Sequence, residues 1–165
     1  MKIKHIILAG DSAGGHLAVT VAMLTALRGF RRPDGLIVHY PVFCVGPKFF
    51  PSFLLSLDEE LLSQPFLKFV MACFLRKGGD PNKNPLASPI CASAKLLNCL
   101  PKMVIFASEV DVLRDHSILF MDRLLKADKF QNREKCKLYL MREYIHGFCS
   151  LDTKHVGVDE FHNGT

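Results

Sequence analysis

A serine flanked by glycines, in Gly10-Asp11-Ser12-Ala13-Gly14-Gly15, fits the pattern G-x-S-x-G and follows directly on a short apolar run, Ile3 to Ala9. A serine hydroxyl is a weak nucleophile until a base takes its proton, and the base works best when an acid orients it. Two later segments offer those partners. Asp111 lies in Glu109-Val110-Asp111-Val112-Leu113-Arg114-Asp115, just past the apolar run Lys102 to Ser108, and His146 opens His146-Gly147-Phe148 after the alternating run Lys137 to Arg142. Acyl transfer is the chemistry such a set performs, with Ser12 attacking, His146 moving the proton and Asp111 holding the ring. Asp115 is the competing acid; it also suits a helix cap, and Asp111 is favoured because it stands nearer the strand end.

These side chains can meet only if the elements before them end on one rim. Ile3 to Ala9 is β-branched and apolar, which predicts a strand buried on both faces. Gly10 and Gly14 lack a Cβ, so the turn after it can be tight enough to project Ser12 above a sheet, with Asp11 and Gly15 completing the elbow. Ala13 to Leu27 is apolar almost all round, predicting an interior helix whose first N–H, on Ala13, would donate to an oxyanion. Gly35 to Tyr40 predicts a second buried strand, Lys102 to Ser108 a third and Lys137 to Arg142 a fourth. Arg114 to Ala127 reads as a helix with Ile118, Met121 and Leu125 on one face. Between the second and third strands, Phe43 to Ser56 reads as loop, Leu61 to Arg76 as an amphipathic helix and Asn82 to Pro101 mostly as loop. The sum is α/β: an open, mostly parallel sheet with helices on both faces, in one domain spanning residues 1–165. Ligands of such sheets bind beyond the carboxyl ends of the strands, where Ser12, Asp111 and His146 all fall.

Composition narrows the function. With 165 residues, 49% of them hydrophobic and 22% charged, the chain can bury a core. A net charge of +5 spread without a basic block gives no case for nucleic acid. The longest apolar runs, such as Phe69 to Leu75, are too short to cross a bilayer, and the residues after Met1 do not form a signal peptide, so a cytoplasmic location is expected. The six cysteines stand at no metal-ligand spacing, so no metal is expected and they read as reduced core thiols. Apart from His146, the histidines His5, His16, His39, His116, His155 and His162 read as surface or satisfied core residues. Phe49, Phe50, Phe53 to Leu55, Phe66, Phe69 and Phe74 read as core, with the lining of an acyl pocket as the alternative. Asn163-Gly164-Thr165 matches a glycosylation acceptor and carries little weight.

With those residues in place, the chain resembles the hormone-sensitive lipase family of α/β-hydrolases. Gly10 to Gly15 matches that family's GDSAGG, Asp111 to Asp115 its D-x-L-x-D, and His146-Gly147-Phe148 its HGF, and the likeness covers about residues 3 to 150. The chain order Ser, Asp, His is also that of the α/β-hydrolases. The resemblance implies hydrolysis of an acylglycerol or other lipid ester through an acyl-serine, with no cofactor and with peripheral attachment to a lipid droplet or membrane surface. The family's H-G-G-G segment, cap and first strands precede the elbow and have no counterpart here. The chain is therefore expected to be the carboxyl-side portion of a catalytic domain, with a non-catalytic interaction fragment as the alternative. Ile3 to Ala9 would then be an edge strand.

Overall fold

The computed structural model describes residues 3–46, 48, 50–55, 61–75, 80–127 and 135–150. Four strands, β1 (Ile7–Asp11), β2 (Gly35–His39), β3 (Lys102–Val110) and β4 (Cys136–Ile145), form one sheet in the order β1-β2-β3-β4. Every pair is parallel, with Ile7 opposite Gly35, Gly35 opposite Lys102 and Met103 opposite Cys136. The helices are α1 (Ala13–Arg28), α2 (Ser52–Leu55), α3 (Gln64–Phe74), α4 (Ala94–Leu97) and α5 (Arg114–Ala127). Gly29, at φ +69°, ends α1 in the left-handed turn that glycine adopts without strain.

One core joins these elements. Val19 and Met23 of α1 meet Leu36 and Val38 of β2, Met103 and Ile105 of β3, and Phe120 and Leu124 of α5. Phe43 stacks on Phe120 with ring centroids 4.0 Å apart. Because side chains alternate across a strand, these inward residues leave a second face, and there the rings of His39, Phe106 and Tyr139 stack across β2, β3 and β4 at 4.9 and 5.3 Å. Among the described residues, α1 and α5 both pack on the face that carries the core.

Several expectations change. Ile7 is 61% exposed and β1 is an edge strand of this sheet, so the expected edge position is found but burial on both faces is not. Leu17 and Val21 of α1 point outward while His16, Val19 and Met23 point in, so the helix is half-buried rather than interior. On α5 the inward stripe is Ser117, Phe120, Met121 and Leu124, and Ile118 faces solvent. The stretches read as loop contain the short helices α2 and α4 and a 3-10 turn at Pro89–Cys91. The six cysteines form no disulfide; Cys44 and Cys136 are buried, but Cys73 and Cys149 are exposed. Phe49, His155, His162 and the Asn163 triplet lie outside the described residues.

His116 is the clearest exception to the histidine reading. It is fully buried against the rings of Phe50 and Phe53, and neither ring nitrogen has a hydrogen-bond partner among the described residues. Burial, opposed only by the nearby Asp115 carboxylate, lowers its pKa from 6.5 to about 3. The folded state thus holds His116 neutral where the unfolded chain would protonate it. Its contribution is complete above pH 6.5 and is lost as pH falls toward 3, a drop of about 2 kcal/mol by pH 5. His116→Leu is expected to flatten this part of the stability curve, read as urea midpoints between pH 5 and 7.5. An unchanged slope would refute the assignment.

Candidate active site

The turn between β1 and α1 is shaped by glycine. A Cβ on Gly10 would sit 2.5 Å from the carbonyl carbon and oxygen of Gly14, and one on Gly15 would sit 3.0 Å from Cβ of Pro41. Only hydrogen at both positions lets strand, helix and the loop after β2 approach this closely. Ser12, between them, takes φ +51° and ψ −118°, a sparsely populated region that costs about 1–3 kcal/mol. Its N–H donates to His39 O at 2.9 Å, tying the elbow to the end of β2. Serine at this position ordinarily caps the helix through its hydroxyl. Here the side chain makes no cap bond and its Oγ faces Nε2 of His146 at 2.9 Å.

The other two residues arrive from the ends of the neighbouring strands. After β3, Asp111 is fully buried, and its Oδ1 accepts the Leu113 N–H at 2.7 Å. Its Oδ2 lies 2.9 Å from Nδ1 of His146. A carboxylate only accepts, so Nδ1 carries the proton and Nε2 presents its lone pair to the Ser12 hydroxyl. Near the rim, Glu143 takes φ +64° and the β3–β4 register slips between Ser108 and Val110, an irregularity of the kind that re-aims side chains next to sites. The three residues named from the sequence thus form one hydrogen-bonded chain.

Asp115, the alternative acid, is engaged elsewhere. Its Oδ2 accepts the Ser52 N–H at 2.7 Å and its Oδ1 accepts Arg114 Nε at 3.1 Å, while Ser52 Oγ donates to Val112 O at 2.8 Å. It anchors α2 against the start of α5. Ala13 is the first residue of α1, whose opening N–H groups have no partner within the helix.

Beside Ala13 lies a cavity of about 210 Å³ between α1 and α3, lined by His16, Leu17, Val42, Val70, Met71 and Phe74 among others. His16 Nδ1–H donates to Val42 O at 2.8 Å, and its ring meets Phe74 edge to face. Burial lowers its pKa, so the wall stays uncharged at neutral pH. The cavity differs from the aromatic lining suggested by sequence: Phe74 lines it, Phe50 and Phe53 belong to the core, and Phe66, Phe69, Leu54 and Leu55 are exposed. His16 and Val42 had no signal in the sequence, since their role arises from how α1 and the loop after β2 pack. No group of side chains among the described residues is suited to hold a metal. No described helix is long and apolar enough to cross a membrane.

A family model described as alpha/beta hydrolase fold matches residues 1–150. Human hormone-sensitive lipase is 51% identical over 49% of this chain and 8% of its own length. An esterase of Gibberella moniliformis is 31% identical over 74% of this chain and 38% of its own length. Among solved structures, carboxyl esterase 2 of the fungus Tuber melanosporum superposes with a TM-score of 0.78 at 27% identity, over 92% of this chain and 48% of that one. The chain spans less than half the length of each of these relatives. On the family match and the described fold, the chain belongs to the α/β-hydrolase fold family, and it is similar to esterases and to hormone-sensitive lipase.

Proposed function

We propose that this chain carries the catalytic centre of a serine ester hydrolase acting on esters with an apolar acyl group, lipid esters being the class that fits. The observation that carries this reading is the pair of 2.9 Å contacts linking Ser12, His146 and Asp111 at a strained elbow. In the proposed reaction Ser12 Oγ attacks the ester carbonyl carbon as its proton passes to Nε2 of His146. The Ala13 N–H, at the positive end of the α1 dipole, faces the oxyanion that develops. Collapse of the tetrahedral intermediate breaks the bond to the alcohol, whose oxygen takes the proton from His146, leaving acyl-Ser12. Water, deprotonated by His146, then attacks the acyl carbon and releases the acid, returning the proton to Ser12. Asp111 keeps Nδ1 protonated and stabilises the imidazolium throughout.

The uncharged cavity beside Ala13 supports an apolar acyl chain as its occupant. Phe66 and Phe69 face outward from α3, which contains no carboxylate, and this pair on the helix that walls the cavity supports contact with a lipid surface. Labelling with a fluorophosphonate, followed by peptide mass mapping, tests the assignment. The adduct is expected on the peptide bearing Ser12, and p-nitrophenyl esters are expected to turn over. A folded chain that remains unlabelled at Ser12 would overturn the reading.

A further inference from the structure

We propose that Tyr40 is a positioning residue that fixes the plane of the His146 ring; this rests on the hydrolase reading for its role in catalysis. Two hydrogen bonds hold His146, one at each ring nitrogen, and together they define a line through the imidazole. Those two bonds do not by themselves stop the ring rolling about that line, which would swing the lone pair of Nε2 away from the Ser12 hydroxyl. A contact against the ring is what stops that motion.

Tyr40 supplies it. Its ring centroid lies 4.7 Å from that of His146, inclined at 58°, and its side chain is buried. It also meets Phe148 edge to face at 5.3 Å, and Phe148 packs on Tyr144 at 4.8 Å. The segment carrying His146 is thus seated on Tyr40 at the histidine itself and again two residues later, at Phe148.

The backbone shows that the position is specified at a cost. Tyr40 takes φ +35°, a left-handed value that a side chain of this size rarely adopts. Its N–H donates to Phe106 O at 2.6 Å, extending the β2–β3 ladder one residue past β2, and Pro41 then turns the chain away. A glycine would take this φ without strain but would bring no ring to the histidine. Burial, with the Cys149 thiol beside the phenol contributing next, raises the pKa of Tyr40 far above neutrality. The phenol therefore stays neutral and acts through its shape, not as a proton carrier.

The test uses Tyr40→Phe, which keeps the ring, and Tyr40→Leu, which removes it. Two readouts are followed: the low-field proton NMR signal of His146 Nδ1–H bonded to Asp111, and the pH profile of fluorophosphonate labelling. Tyr40→Phe is expected to match the parent in both. Tyr40→Leu is expected to broaden the low-field signal and to slow labelling about tenfold to a hundredfold, as a misplaced reacting group does, with a displaced pH midpoint. Phe148→Leu loosens Tyr40 from outside and is expected to broaden the same signal, which keeps the test open should Tyr40→Leu fail to fold. A sharp signal and an unchanged pH profile in a folded Tyr40→Leu, or a sharp signal in Phe148→Leu, would overturn the inference. A chain that never labels, yet loses the low-field signal in Tyr40→Leu, would overturn the hydrolase reading and uphold the positioning.

Discussion

Ser12→Ala is expected to lower ester turnover by roughly 10⁵-fold or more and to abolish fluorophosphonate labelling, because members of a nucleophile–base unit lose nearly the whole advantage when the nucleophile goes. The fold should barely register the change. The hydroxyl makes one hydrogen bond, to Nε2 of His146, and the side chain caps nothing, so the lost contact is worth about 1 kcal/mol. Alanine also inherits the same positive φ, leaving the elbow strain unchanged between the two proteins. Turnover of a p-nitrophenyl ester and a urea melt, run side by side, separate the two effects. Residual activity within tenfold of the parent would remove Ser12 from the chemistry.

The second large effect separates two buried carboxylates only four positions apart. Asp111→Asn places an amide where the carboxylate accepts Nδ1–H, and an amide that turns its nitrogen toward His146 favours the tautomer with Nε2 protonated. Nε2 then cannot accept the Ser12 proton, and turnover should fall by about 10⁴-fold at neutral pH. Asp115→Asn should leave turnover nearly intact. It weakens the bonds from the Ser52 N–H and Arg114 Nε, for a loss of about 1–3 kcal/mol in stability. One variant is thus expected to be stable and slow, the other active and less stable. The reverse pattern, measured in the same two assays, would transfer the acid's role to Asp115.

Much of this site was legible in the residues. Gly10 before Ser12 announces a turn that tolerates no Cβ, and the contact of 2.5 Å that a Cβ there would make shows why; Gly14, read with it, has room for a Cβ, 3.9 Å from Asp11 Oδ1, and the second crowded glycine is Gly15. Arg114–Ala127 is helical over the span its apolar spacing predicted, and the third strand starts at Lys102 as read, because such local signals depend on neighbours in sequence. Burial was less legible. The apolar composition of β1 and α1 suggested that both are enclosed, yet Ile7 and Leu17 are exposed, since enclosure depends on what packs against them. His116 gave no sign that it would be buried without a partner, and Tyr40 and Val42 gave none that they would wall the site.

The sequence by itself determined the residue types that can do the chemistry, the strand-to-helix elbow that presents Ser12, and the placing of Asp111 and His146 just past strand ends. Tertiary structure alone decided that Asp111 and not Asp115 meets the histidine, that Tyr40 backs its ring, and that an uncharged cavity opens beside Ala13. The reason is range. An elbow is built by covalent neighbours, whereas Ser12 and His146 are 134 positions apart and reach 2.9 Å only because parallel strands bring their ends to one rim.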